Sequence, residues 1–192
     1  MRKILVSTSV SLDGYFEGPG HDLSWHRVDE EVHAYFNEYL APMSVFLDGR
    51  VTHELMASVW PTADEDPDAS PRMAEFARIW RDKPKIVFSR TLEDTRWNTT
   101  VRREVDPAEI RDLQAQPGGD MVVGGANLVD TFRRLDLIDE YRIFVHPVLA
   151  GAGTPFFRQA DALTSLELLE TRTFGNGVVL LRYGRASDSA AD

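Results

Sequence analysis

Hydrophobic and polar positions alternate between two periods along most of the chain. Residues 4–10 form a β-branched run with Ser and Thr interleaved, closed by Asp13-Gly14, which predicts a buried strand and a turn. The stretch 18–22 is loop by composition. Over 29–40, Val32, Tyr35, Phe36 and Tyr39 recur at helical spacing, with Asp29, Glu30 and Glu31 suited to the helix N-terminus and Pro42 closing it. A short strand is predicted over 44–48. A helix follows over 52–59, capped at Thr52 or just before it. The segment 61–71, rich in proline and acid, is predicted as a surface loop, with Asp64-Glu65-Asp66 a solvated charge run. Helical spacing returns over 72–81 through Met73, Phe76, Ala77 and Trp80.

Further strands are predicted over 85–88 and 120–123, and helices over 106–115 and 126–134. Pro107 suits a first helical turn, and Gly124-Gly125 joins the second of these strands to its helix. Strands over 141–149, 166–174 and 178–183 complete the pattern, the last two a hairpin around Gly175-Asn176-Gly177. Strand and helix alternate first and strands dominate the end. That order defines an α/β fold with a mostly parallel sheet and antiparallel C-terminal strands.

A length of 192 residues suits one domain over 1–185, and the polar tail 186–192 is expected to be frayed. Lys and Arg number 21 against 31 Asp and Glu, a formal charge of −10. That balance disfavours nucleic acid and anionic membranes as partners, because a phosphate backbone needs a positive face. Cysteine is absent, which excludes disulfides, thiolate metal sites and a cysteine nucleophile. No apolar run has the length of a membrane helix and no signal peptide opens the chain, so a cytoplasmic protein is expected.

The candidate chemistry lies at three strand exits. Leu47-Asp48-Gly49-Arg50-Val51-Thr52 runs strand, glycine, cation, helix. Phe88-Ser89-Arg90-Thr91 runs strand, hydroxyl, cation, hydroxyl. Val122-Val123-Gly124-Gly125-Ala126-Asn127-Leu128 runs strand, glycine pair, helix. In open parallel sheets ligands bind outside the carboxyl ends of strands. A glycine there admits close backbone approach, and a helix N-terminus offers free N–H groups to an anion. Singly, the glycine pair is an ordinary tight turn and each arginine an ordinary surface cation. Jointly they suit a ligand with several phosphates. The Gly-x-Gly-x-x-Gly fingerprint, the P-loop and the Gly-x-Ser-x-Gly elbow are all absent.

These segments, with Ser9-Val10-Ser11-Leu12-Asp13-Gly14-Tyr15, Lys85-Ile86-Val87, Leu137-Ile138-Asp139-Glu140-Tyr141-Arg142 and His146-Pro147-Val148-Leu149-Ala150-Gly151-Ala152-Gly153-Thr154-Pro155-Phe156-Phe157, carry a resemblance. The chain resembles the dihydrofolate reductase-like fold, in the branch related to the reductase domain of riboflavin biosynthesis. The resemblance implies a three-layer α/β architecture, NADPH as cofactor and a homodimer. It implies that Gly49, Arg50 and Thr52 contact cofactor phosphates and that Ser89, Arg90 and Thr91 lie near the adenosine 2′-phosphate. It also implies that Gly124, Gly125, Ala126, Asn127 and Leu128 hold the pyrophosphate. A small-molecule substrate of pterin or pyrimidine type follows, with hydride as the group transferred.

Asp13 is the candidate catalytic side chain, as a polar contact or proton donor; the other reading is an Asp-Gly turn stabilised by its own carboxylate. An acid among 29–31, or water, is an equal candidate for the proton. Tyr15, Trp25 and Trp60 are candidates to stack on a flat substrate, and each also suits a core or rim aromatic. No metal is expected. His53-Glu54 opens like a zinc-peptidase helix, but Ala57 lacks the second ligand, and His21, His26 and His33 lack a recognised spacing. His146 is expected to be packed or at an interface, and residues 141–149 to be apolar enough to pair or pack across one. The functional expectation is an NADPH-dependent reductase; the alternative is a non-catalytic nucleotide-binding module on the same fold.

Overall fold

The computed structural model describes residues 1–93, 96–158 and 163–186, so 187–192 of the expected tail lie outside the described residues. In chain order the strands are β1 Ile4–Ser11, β2 Tyr15–Glu17, β3 Val45–Gly49, β4 Lys85–Phe88, β5 Thr99–Arg102, β6 Met121–Gly124, β7 Glu140–His146, β8 Thr154–Pro155, β9 Leu166–Thr173 and β10 Val179–Arg185. The helices are α1 Glu30–Leu40, α2 Arg50–Val59, α3 Pro71–Asp82, α4 Pro107–Ala115 and α5 Ala126–Arg134. Two compact units divide the chain: Met1–Ile4 with Val28–Leu137, and Leu5–Arg27 with Ile138 onward.

The first unit is built on parallel strands in the order β5-β4-β3-β6. Val45, Phe46 and Leu47 are buried in β3, and Met121, Val122 and Val123 in β6, the continuous apolar runs that parallel strands covered by helices require. Asp29, Ser70 and Asp106 cap α1, α3 and α4 by accepting from Val32, Met73 and Ala108 N–H. In the second unit β1 runs parallel to β7, which pairs antiparallel with β10, and β10 with β9. β2 and β8 form a separate antiparallel ribbon. The expected mixed α/β arrangement, mostly parallel with antiparallel C-terminal strands, is therefore present.

Several local expectations are corrected. The buried side chains of α1 are Val32, His33 and Asn37, while Tyr35, Phe36 and Tyr39 are half-buried. Asn37 Nδ2 donates to the Arg72 carbonyl and Glu75 carboxylate, both at 2.9 Å, and His33 packs on Trp60 and Phe76. The polar bonds to α3 thus add Asn37 to a buried face that still holds Val32 of the apolar stripe. α2 starts at Arg50, two residues before Thr52, with Gly49 as its cap and no capping side chain. The predicted loop 61–71 opens with a 3-10 helix, Trp60–Glu65, whose Pro61 and Ala63 are buried. Asp64 is not merely solvated: it grips Arg81 through two bonds of 2.6 and 2.7 Å. β2, β5 and β8 escaped prediction because each is four residues or fewer and carries little apolar signal. Within its unit β7 is hydrogen-bonded along both edges, to β1 and β10, so neither of its edges is open for strand pairing.

Candidate functional site

Three neighbouring parallel strands of the first unit end in register, Asp48 opposite Gly124 and Gly49 opposite Phe88. Their exits are the three turns singled out above. Gly49 caps α2 and Gly125 caps α5, neither with a side-chain hydrogen bond, so both helices open with backbone N–H groups free to meet an anion. Gly125 has φ +91°, and a Cβ there would stand 2.6 Å from Thr52 Oγ1 and 4.0 Å from Gly49 N. A Cβ on Gly49 would stand 3.8 Å from Leu128 Cβ. The fold therefore brings Gly49, Thr52, Gly124, Gly125 and Leu128 together. Ala126 and Leu128 are buried in the first turn of α5, and Asn127 is exposed.

Arg50 is exposed and pairs with Glu54 one turn along at 2.7 Å, a surface pair cheap enough to be exchanged for a ligand. Ser89 is buried, and its hydroxyl accepts from Thr91 N–H at 3.2 Å and Leu92 N–H at 2.9 Å, folding the exit of β4 back on itself. Arg90 and Thr91 stand exposed on that turn. Arg103, which carries no motif, braces it by donating to the Ser89 and Leu92 carbonyls at 3.2 and 3.0 Å.

Beneath the turns lies a pair of charged groups that sequence reasoning missed. Asp48 is 7% exposed and Lys85 1% exposed. Lys85 Nζ donates to the carbonyls of Trp80, Lys83 and Trp97 and lies 4.1 Å from the centre of the Trp80 ring. Burial pushes the Asp48 carboxyl up to about 7, against the pull of Lys85. Burial likewise brings the Lys85 ammonium down to about 8, with Asp48 and Asp82 opposing. The available signal was an aspartate interrupting the apolar run of β3.

In the second unit, Asp13 Oδ1 accepts from Ser11 Oγ at 2.6 Å and Ala150 N–H at 3.0 Å, and its Oδ2 from Gly151 N–H at 2.8 Å. These bonds, Ser11 first, hold its carboxyl down at about 2, so Asp13 is ionised at neutral pH. Its geometry is that of a clamp on the 150–151 turn, which runs against a proton-donating role. Tyr15 lies in β2, half-buried. Trp25 packs edge-on to His26 and His146, with centroids at 4.3 and 5.6 Å. Trp60, in the first unit, packs edge-on to Phe76 at 4.5 Å.

His146 is fully buried and stacks on His26 at 5.2 Å. Its Nδ1 accepts from Arg27 N–H at 2.9 Å, so its proton sits on Nε2. Burial first, and the charges of His26 and Arg27 with it, lower the His146 pKa to about 4. Below the ordinary histidine value the unfolded chain takes up the proton first, so stability is lost as pH falls from about 6.5 to about 4 and is constant above. The expected contribution is about 3 kcal/mol. His146→Gln should flatten the acid limb of unfolding midpoint against pH; a limb of unchanged slope overturns this assignment.

This α/β fold, with its three turns at neighbouring strand ends, is that of a reductase-type family. The chain belongs to the RibD C-terminal domain family, whose pattern matches residues 2–180. It is 33% identical over 183 residues to the uncharacterized protein YyaP of Bacillus subtilis (strain 168), covering 95% of this chain and 94% of that one. A candidate riboflavin biosynthesis protein from Shewanella sp. PV-4 superposes with TM-score 0.73 at 23% identity, covering 97% of this chain and 100% of that one. Dihydrofolate reductase from Enterococcus faecalis, complexed with NADP(H), superposes with TM-score 0.64 at 18% identity, covering 96% and 97%. The last two likenesses are of fold. Among the described residues no helix is long and apolar enough to cross a membrane.

Proposed function

We propose that this protein is an NADPH-dependent reductase that passes hydride to a small heterocycle or imine. The observation that carries the proposal is the cradle at Gly125, where a positive φ and the approach of Thr52 leave room for no side chain beside two uncapped helix starts. Gly49, Thr52, Gly124, Gly125, Ala126, Asn127 and Leu128 would hold the pyrophosphate through backbone N–H groups and the Thr52 hydroxyl. Arg50 and Arg90 would supply charge, Arg90 with Ser89 and Thr91 toward the adenosine 2′-phosphate. The cofactor, when bound, supplies the hydride; the chain binds and orients it. Asp13, held ionised, positions its loop, and the proton comes from water. The homodimer implied by the resemblance stays within this proposal. β9, at the edge of its unit with Leu168 and Leu169 exposed, is the strand open to a second copy.

The test is NADPH titration followed by tryptophan quenching, then loss of reduced-cofactor absorbance with pterins, pyrimidinones and quinones. Turnover supports the reductase, binding without turnover supports a nucleotide-binding module, and no binding ends both readings. Arg90→Ala should weaken NADPH by about 1.5–3 kcal/mol and leave NADH unchanged, because one charge-assisted contact to the 2′-phosphate is lost. Arg50→Ala should weaken both equally. Equal loss of NADH in the Arg90 variant would move that side chain to the pyrophosphate.

A further inference from the structure

The Gly49–Thr52 and Gly124–Gly125 turns close over a carboxyl that the phosphate cradle does not explain. Asp48, the residue before Gly49 in β3, has its Oδ1 3.0 Å from the point where a Cβ on Gly124 would stand, and Thr52 Cγ2 is 3.6 Å from that point. Among the described residues it accepts no hydrogen bond and forms no ion pair within 4.0 Å, and only burial and the charge of Lys85 act on it. Anion sites are seldom floored by an acid, because two like charges in a poorly solvated place repel strongly.

We propose that Asp48 is the proton-accepting floor of the phosphate cradle: it takes up one proton from solvent when a dinucleotide phosphate settles on the two turns, and so makes affinity fall as pH rises. This rests on the dinucleotide reading above. Protonation removes the repulsion, and the carboxyl gains an O–H with which to donate to a phosphate oxygen.

The groups around Asp48 suit this role. On β4, two residues away in register, lies Lys85, among the described residues the one charged side chain that acts on it appreciably. That ammonium is turned onto three backbone carbonyls and the Trp80 ring, so it moderates Asp48 without neutralising it by contact. From α2 the titratable side chains are Arg50 and Glu54, paired with each other on the surface, and His53, stacked on Trp80. β6 holds no titratable side chain. The acid of α5, Asp130, is paired with Arg133 and Arg134. Asp82 acts on Lys85. Free Asp48, with its carboxyl up at about 7, is poised between its two forms at neutral pH. A polyanion would raise it further, drawing in a proton.

The experiment is calorimetric titration of the whole protein with NADH in buffers of different ionisation enthalpy. NADH is chosen because its pyrophosphate diester has no group titrating near neutrality, unlike the 2′-phosphate of NADPH. Wild type should take up about half a proton per NADH at about pH 7 and nearly one at about pH 8.5, its Kd rising toward tenfold per pH unit. Asp48→Asn, which keeps shape without charge, should take up none and bind with a Kd independent of pH. Binding by wild type without proton uptake overturns this proposal alone and needs no variant. Equal uptake by Asp48→Asn also overturns it. No binding of NADH or NADPH by wild type overturns the dinucleotide reading and this inference together.

Discussion

Lys85→Met is expected to destabilise the protein by roughly 3 kcal/mol or more, with most of the effect arising far from solvent. The ammonium donates to three carbonyls, those of Trp80, Lys83 and Trp97, which tie the end of α3 to the strands β4 and β5. Methionine matches the volume of the stem but leaves three buried acceptors unmet, each costing about 1 kcal/mol or more. It also removes the cation that faces Asp48. Because burial raises the folded pKa of Asp48, the folded state binds this proton more tightly than the unfolded chain. Stability contributed there falls as pH rises from about 4 to about 7. Without Lys85 the loss should continue to higher pH, so the variant should be penalised more at about pH 8 than at about pH 6. Denaturant unfolding at the two pH values checks both parts. A shift below about 1 kcal/mol at both would mean that the carbonyls find other donors.

Gly125→Val is expected to abolish nucleotide binding, a loss on the order of a hundredfold or more, and to destabilise the fold as well. Two separate costs arise. A φ of +91° strains any L residue, a β-branched one most, by roughly 1–3 kcal/mol. The new Cβ would also meet Thr52 Oγ1 at 2.6 Å, and Thr52 is a short branched side chain on a helix, unable to swing aside. Relief requires the turn to open, which pulls the first N–H groups of α5 away from those of α2. Gly125→Ala, with the same Cβ and less bulk, should fall between. Adding Thr52→Ala to Gly125→Ala should recover stability, because it removes the clash and leaves only the φ strain. Unfolding midpoints and NADPH quenching measure the two costs separately. Binding by Gly125→Val at wild-type strength would remove this turn from the site.

The alternation of strand and helix, the strand exits at Gly49, Ser89 and Gly124, and the hairpin at Gly175–Gly177 were all legible in the chain. Each depends on hydrophobic period and turn chemistry within about ten residues, where local sterics and propensity decide the outcome. Tertiary structure decided what depends on distant partners. Asn37 finds Arg72 and Glu75 some 35 and 38 positions on, which placed a polar side chain on the buried face of α1. Asp64 finds Arg81 across 17 positions, and Asp13 finds Ala150 across 137, which made a candidate acid into an ionised clamp. Asp48 and Lys85 lie in segments the sequence marks, but nothing there couples them; only the pairing of the adjacent parallel strands β3 and β4 brings them near each other, two residues apart in register, and only burial there moves both their protons. A charge's chemistry is set by its solvation and neighbours, and neither exists until the chain has folded around it.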